Sequence, residues 1–227
     1  SKGCLEWLYQ TANAPEAWRP DIIHCHDWHT GYFMDLARRH PRYTSLMAQT
    51  PLVYTVHNFS FQGNYDFRYA SRETYDYGRD LPAPLNSPKL QTQNALKRGL
   101  LFADAINTVS PTHAVEVLTP EYSEGLDESL REVRGKLTGI LNGLDIEKFN
   151  PHTDKTIKKQ FNSQSFVHAR QDNKKELQKL FGLEPNSNRP LLAVSGRLGK
   201  QKGLDLLLEA LPHLLRERPN VQVIFLG

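Results

Sequence analysis

Short runs of apolar and β-branched residues alternate along the chain with longer segments in which apolar residues recur at helical spacing. The short runs predict strands at residues 21–26, 51–56, 105–109, 136–141, 190–195 and 221–226. The longer segments predict helices at residues 30–40, 88–103, 172–181 and 204–215, with a kink at Pro212 in the last of them. Strands that alternate with helices are typical of βαβ units, so we expect an α/β fold with parallel sheets.

Two segments interrupt this alternation. Residues 57–87 are rich in Tyr, Phe, Arg, Asn and Gly without clear periodicity, and so long a connection inside a compact domain is usually functional or mobile. Residues 142–171 are polar and contain few apolar side chains. We therefore expect two domains, over residues 1–138 and 153–227, joined by a hinge at 139–152.

The composition narrows the class of protein. Of the 227 residues, 39% are hydrophobic and 23% are charged, which is ordinary for a globular chain and argues against disorder. No apolar run approaches the roughly 18 residues of a membrane helix, and a net charge of +3 is too small and scattered to indicate nucleic acid. There are only two cysteines, so we expect a location in the reducing cytoplasm, or in a plastid if the source is a plant.

The two ends of the chain are unusual. It begins at Ser1 without the apolar core of a signal peptide, and it ends with a strand-like run followed by Gly227. A strand followed by glycine normally leads into a further turn and helix. We therefore expect that 227 residues is not the natural length and that both domains are incomplete in this chain.

Polar or glycine-rich clusters directly follow most of the predicted strands. In open α/β sheets, ligands bind beyond the carboxyl ends of the strands. Five such clusters therefore predict a shared ligand crevice, and they begin at Asp27, His57, Ser110, Asn142 and Gly196.

The cluster from Gly196 to Gly203 gives the clearest indication of the kind of ligand it binds. It carries Arg197, Lys200 and Lys202 into the N-terminus of a leucine-rich helix, where free backbone N–H groups and the helix dipole favour an anion. Arginine grips two phosphate oxygens and lysine acts as a movable point charge, so this loop predicts a phosphate site. The alternative is a solvated basic turn. The chain has no P-loop pattern, which leaves ATPase chemistry without support.

The histidines around residue 26 raise a second possibility. The order His-Cys-His-Asp-Trp-His over residues 24–29 misses the spacing of a binuclear metal hydrolase by one residue. We therefore favour histidines that are packed and hydrogen-bonded near the end of the sheet, and we expect no metal. Cys25 is interpreted as a small buried hydrophobe. The aromatic residues of segment 59–78 either cap the core or offer flat faces on which sugar rings stack.

Taken together, these motifs resemble those of bacterial glycogen synthases and plant-type starch synthases over residues 19 to 227. In chain order the motifs are His24-x-His26-Asp27-Trp28-His29, Thr55-Val56-His57-Asn58 with Gln62-Gly63, Val109-Ser110-Pro111-Thr112, Leu141-Asn142-Gly143-x-Asp145, and Gly196-Arg197-Leu198-x-x-Gln201-Lys202-Gly203. The resemblance implies the GT-B fold, with residues 1–138 as the rear part of an acceptor-side Rossmann-like domain and 153–227 as the start of the nucleotide-sugar donor domain.

The resemblance also implies a reaction. Members of this family transfer glucose from a nucleotide sugar, usually ADP-glucose and alternatively UDP-glucose, to the non-reducing end of an α-1,4-glucan with retention of configuration. They use no metal and no cofactor besides the donor. By this resemblance the catalytic residues are His57, Arg197 and Lys202, and the substrate-binding residues are Asp27, Asn58, Gln62 and Asn142. The alternatives are another GT-B glycosyltransferase or an inactive carbohydrate-binding fragment.

Overall fold

The computed structural model describes all residues from 1 to 227, and they form two compact units, Ser1–Gly143 and Leu144–Gly227. The division falls inside the segment that the sequence predicts as a hinge, residues 139–152. Each unit contains a parallel β-sheet, with four strands in the first unit and two in the second. The predicted α/β fold class is therefore confirmed. None of the helices is long and apolar enough to cross a membrane.

The first unit is a parallel sheet whose strands lie in the order β1-β2-β3-β4. The strands are β1 (Ile23–His26), β2 (Leu52–Val56), β3 (Ala105–Thr108) and β4 (Leu137–Gly139). The helices are α1 (Lys2–Ala12), α2 (Gly31–Arg39), α3 (Thr44–Met47), α4 (Ala95–Phe102), α5 (Pro111–Glu116) and α6 (Asp127–Glu132). Short 3₁₀ turns occupy Trp28–Thr30, Phe67–Tyr69, Arg72–Thr74, Pro88–Thr92 and Arg134–Lys136.

The core of the first unit lies between the sheet and the helices α2 and α4. Leu52, Tyr54 and Val56 alternate along β2 and are completely buried. Two glycines let the backbones approach closely here, since a Cβ at Gly31 would collide with the carbonyl of Ala95, and one at Gly99 would collide with the ring of Tyr54. Any side chain at either position would force these elements apart.

A buried ion-pair network holds the irregular segment 57–87 against the helices. The guanidinium of Arg98 on α4 is fully buried and pairs with Asp76, at 2.7 Å, and with Asp35 of α2. Asp76 also accepts the backbone N–H of Asn94 at 2.9 Å. Because Arg98 connects segment 57–87 to both α2 and α4, this long and mostly irregular segment has one defined path over the unit.

The second unit consists of β5 (Leu191–Ser195), β6 (Gln222–Leu226), α7 (Phe166–Leu180) and α8 (Leu204–Glu217), with a 3₁₀ turn at Lys200–Lys202. Its strands pair in parallel. On α8, four leucines spaced at i, i+3, i+7 and i+10 are half-buried, whereas two further leucines of the predicted apolar face are exposed. The half-buried four are Leu204, Leu207, Leu211 and Leu214, and the exposed two are Leu208 and Leu215.

Several helices differ from the predictions. The helix predicted at 88–103 is a 3₁₀ turn followed by α4, because the Asn94 side chain accepts the N–H of Lys97 and starts a new helix there. Helix α7 begins six residues before the predicted range, in a stretch whose mostly exposed residues give no apolar period. Helix α8 contains Pro212, as predicted, and extends two residues beyond the predicted range to Glu217. The helix α1 was not predicted, although Leu5, Leu8 and Ala12 form its buried face.

Candidate functional site

Four of the five polar clusters lie at the carboxyl edge of the first sheet. Because β1 to β4 run parallel, the residues that follow them emerge at the same edge. Asp27 follows β1, His57 follows β2, Ser110 lies after β3 and Asn142 lies three residues beyond β4. The fifth cluster, with Arg197 and Lys202, follows β5 in the second unit. The structure thus divides the predicted site residues between the two units.

Asp27 adopts an unusual backbone conformation, and its side chain holds the backbone of His57. Its φ is +53°, a region that residues other than glycine rarely occupy. Its Oδ1 accepts a hydrogen bond from the backbone N–H of His57 at 2.8 Å, and its own N–H donates to the carbonyl of Thr55 at 2.9 Å. Strained backbone that is held by such contacts is concentrated at functional sites.

The imidazole of His57 is exposed, and a neighbouring histidine holds one of its nitrogens. Nε2 of His57 lies 3.1 Å from Nδ1 of His26, and the two rings stack at 5.3 Å between centroids. This leaves Nδ1 of His57 as the ring nitrogen without a protein partner. The bond joins the residue after β2 to the last residue of β1.

His24 completes a row of three imidazoles along one face of the sheet. Its ring lies 4.3 Å from that of His26, and its Nε2 is 2.6 Å from the hydroxyl of Thr55. Thr55 donates its proton to Oδ1 of Asn107 at 2.6 Å, so its oxygen accepts from the Nε2–H of His24. Partial burial lowers the pKa of His24, and the neighbouring His26 and His57 lower it further. This shift favours the neutral form of the His24 imidazole.

The favoured interpretation of these histidines, as a hydrogen-bonded group near the sheet end, agrees with this geometry. Nδ1 of His26 and Nε2 of His57 face each other with room for one proton between them. Nowhere in the structure do three His, Cys, Asp or Glu side chains converge in a way that could hold a metal ion. Burial raises the pKa of the Cys25 thiol to about 11, in keeping with its interpretation as a buried hydrophobe.

The side chain of Gln62, one of the predicted substrate-binding residues, is buried within the protein. Its side chain is 1% exposed and both ends of the carboxamide are occupied. The oxygen accepts from the N–H of Phe67 and from the amide of Asn94, and the nitrogen donates to the carbonyls of Phe59 and Glu124. Gln62 therefore holds its segment in place, and no polar atom of its side chain is free for a ligand. Nearby Asn58 is half-buried and caps the turn at Ser60 through its Oδ1, at 2.9 Å.

Glu124 is a residue of this region that sequence reasoning missed. It has a φ of +54°, its carboxylate accepts from the hydroxyl of Ser60 at 2.6 Å, and it lies 3.4 Å from Nε of Arg68. It thus clamps the loop after His57 from the other side. Glu124 and Gly125 both have positive φ. The glycine is the one feature of the sequence that indicates this turn.

The aromatic residues of segment 59–78 divide into a buried and an exposed group. Phe59 and Phe67 are buried, and Tyr75 stacks on Phe67 at 4.0 Å, so these three cap the core. Tyr69 and Phe61 are exposed and leave flat apolar faces at the surface. Of the remaining clusters, Ser110 caps α5 by accepting the N–H of His113, and Asn142 is exposed.

The basic loop of the second unit presents its cations freely. Arg197 and Lys202 are exposed, and the ion pairs of this unit are formed by other residues: Lys159–Asp172, Lys179–Glu176 and Arg189–Glu184. Gly203, with a φ of +69°, makes the left-handed turn that starts α8. Free cations beside the N-terminus of a 14-residue helix suit a phosphate group.

Comparison with known proteins agrees with this division into two parts. The sequence profile of the starch synthase catalytic domain matches residues 1–132, and that of glycosyl transferases group 1 matches residues 175–227. The chain is 42% identical to glycogen synthase 2 of Nitrosococcus oceani over 95% of its length, and 41% identical to glycogen synthase of Clostridium beijerinckii over 92%. It covers 42% and 43% of those two proteins, so it spans about two fifths of the curated relatives it matches.

A solved structure extends the likeness to the fold. The catalytic domain of starch synthase IV from Arabidopsis thaliana, bound to ADP and acarbose, superposes with a TM-score of 0.74 and 34% sequence identity. The match covers 99% of the present chain and 44% of that one. The resemblance that the motifs indicated is thereby confirmed. This chain belongs to the family of the starch synthase catalytic domain.

Proposed function

We propose that this chain contributes to a retaining glucosyltransferase, which moves glucose from ADP-glucose to the non-reducing end of an α-1,4-glucan. One observation carries the proposal: the chain matches, along 99% of its length, a starch synthase catalytic domain that is bound to ADP and acarbose. ADP is the diphosphate that ADP-glucose releases on transfer. UDP-glucose is the alternative donor, and the cytoplasm remains the expected location.

The first unit supplies groups for the sugar. His57 contacts the donor glucose near the reacting carbon, through the ring edge that its bond to His26 leaves free. Asp27 lines the sugar subsite with Oδ2, since Oδ1 is engaged by the N–H of His57. Asn142 and Asn58 provide further polar contacts at the same sheet edge. Gln62 acts indirectly, by shaping the segment that follows His57.

The second unit supplies charge for the leaving group. Cleaving the bond between glucose and the diphosphate places negative charge on the phosphate oxygens and makes the sugar oxocarbenium-like. Arg197 and Lys202 neutralise that charge, and groups that are fixed where charge develops lower the barrier. With two cations in this role, the proposal includes neither a metal nor a cofactor besides the donor.

The test is a transfer assay on the complete polypeptide that carries this sequence. It is incubated with ADP-glucose or UDP-glucose and a maltooligosaccharide, and chain length is followed by chromatography. We expect α-1,4 extension, and a loss on the order of 10²–10³ in kcat/KM for Lys202→Ala. Lys200→Ala is the matched control, because Lys200 is an exposed lysine in the same loop, and it is expected to keep most of the activity.

Two other outcomes separate the alternatives. Extension of a different acceptor from either donor would assign the chain to another glycosyltransferase of the same fold. Maltooligosaccharide binding without transfer from either donor would contradict the proposal and favour an inactive carbohydrate-binding protein.

A further inference from the structure

The row of imidazoles at the sheet edge includes His26, which is not among the proposed catalytic or substrate-binding residues. His26 is the last residue of β1, and its Nδ1 lies 3.1 Å from Nε2 of His57. His57 is thereby held at two points, at its backbone by Asp27 and at its ring by His26. The ring contact decides which imidazole nitrogen is left for a ligand.

The register of the sheet explains why these rings meet. His26 pairs with Thr55 across β1 and β2, so His57, two residues beyond Thr55, extends the same face. His24 lies on that face too, and its ring is fixed by Thr55, which is in turn fixed by Asn107 of β3. Hydrogen bonds therefore anchor the stack at His24, and at its other end the ring of His57 is held by His26.

We infer that His26 is a positioning residue, which fixes the orientation and tautomer of the His57 imidazole and keeps Nδ1 of His57 for the donor sugar. This inference rests on the proposed function, which supplies the donor sugar and the contact that His57 makes with it. An unheld imidazole can rotate about its χ angles and exchange its proton between the two nitrogens. Rotation would put the wrong edge toward the reacting carbon, and proton exchange would change whether Nδ1 donates or accepts there.

Three substitutions separate the hydrogen bond from the packing of the ring. His26→Phe keeps an aromatic ring in the stack and removes the nitrogen. His26→Asn places an amide atom two bonds from Cβ, where Nδ1 stood, and can restore the bond. His26→Gln places its amide one bond further out, where Nε2 stood, and cannot superpose on Nδ1.

The kinetic test measures kcat and KM for ADP-glucose and the thermal unfolding midpoint of each variant in the complete polypeptide. We expect His26→Phe and His26→Gln to lower kcat about tenfold, the loss of one hydrogen bond in the transition state, with KM nearly unchanged. His26→Asn should recover activity to within about threefold of the wild type. Equal kcat in all four proteins, or losses that follow the unfolding midpoint instead of the hydrogen bond, would overturn the inference.

A second measurement needs no substrate. Long-range ¹H–¹⁵N NMR of the histidine side chains reports whether each imidazole has one tautomer or an exchanging mixture. We expect one tautomer for His57 in the wild type and in His26→Asn, and a mixture in His26→Phe. The same His57 mixture in wild type and His26→Phe would overturn the inference even if transfer is observed, whereas absence of transfer alone would overturn only the proposed function.

Discussion

The two units hold their site residues in opposite ways. In the first unit, Asp27 and His57 are tied to each other, and His57 is tied to His26, before any ligand is present. In the second, Arg197 and Lys202 project freely from a glycine-rich loop. The two units also differ in net charge. Acidic residues outnumber basic ones by two in residues 1–143, whereas basic residues outnumber acidic ones by five in residues 144–227.

Under the proposed function, this difference suits the two parts of the nucleotide-sugar donor. A sugar offers weak, directional hydroxyl groups, so the groups that recognise it must be oriented in advance. A diphosphate offers strong charge with little directional demand, and flexible cations can close on it. We therefore expect substitutions in the first unit to act through position and stability, and those in the basic loop to act through charge alone.

The largest expected effect is on the stability of the first unit. Arg98→Ala would remove the buried cation that Asp35 and Asp76 share, leaving Asp35 with Arg39 and Asp76 with backbone N–H groups only. Breaking a buried ion pair from one side typically costs about 3–5 kcal/mol. Urea unfolding followed by tryptophan fluorescence would report the loss, because all three tryptophans lie in the first unit and Trp28 packs against this core. Arg42→Ala is the control, because its ion pair with Glu6 lies at the surface and contributes far less. Similar losses in both variants would show that the network does not organise the unit.

The next effect concerns charge in the second unit. Arg197→Ala should reduce kcat/KM for ADP-glucose by a factor on the order of 10²–10³. The unfolding midpoint should not change, since Arg197 is exposed and the ion pairs of this unit lie elsewhere. Activity assays and differential scanning calorimetry on the same preparations test both statements. A fall in the midpoint parallel to the fall in activity would mean that Arg197 supports the fold.

A smaller effect is expected at Asp27. Asp27→Ala removes the acceptor for the N–H of His57 and puts alanine at a φ of +53°, so we expect a loss of about 1–2 kcal/mol in the free energy of unfolding. Asp27→Asn keeps an oxygen that can accept this N–H and should lose much less. If the two variants are equally stable in urea, the contact to His57 contributes nothing.

The smallest effect is a pH dependence. The pKa of His24 is lower in the folded protein than its ordinary value of about 6.5, so the unfolded chain binds the proton more readily. The unfolding free energy of the first unit should therefore fall as the pH decreases below about 6.5. Urea titrations at pH 7 and pH 5 measure this change, and His24→Gln should reduce it. An unchanged slope in that variant would assign the dependence to other groups.

The pattern of apolar residues was sufficient to predict the strands. Each of the six strands was predicted to within two residues at either end, because short β-branched runs between polar clusters have few alternative structures. The helices were less predictable. Helix α1 and the short helices α3, α5 and α6 were missed, since four to six residues carry too little periodicity and α1 has only three buried positions.

The site was predictable by position but not by contact. Strand ends correctly indicated that Asp27, His57 and Asn142 lie at one sheet edge. The bond between His26 and His57 depends on the strand order and register, which periodicity does not contain. The burial of Gln62 depends on the path of an aperiodic segment that Arg98 and Glu124 hold in place.

Hydrogen–deuterium exchange with and without ADP tests the contrast between the two units most directly. In the free protein, we expect slow exchange at the backbone N–H of His57, which Asp27 accepts, and fast exchange over residues 197–206. Saturating ADP should slow exchange in residues 197–206 and leave that of His57 unchanged. Fast exchange at His57 in the free protein, or no ADP-induced protection in the basic loop, would contradict a preorganised sugar half and a free diphosphate half.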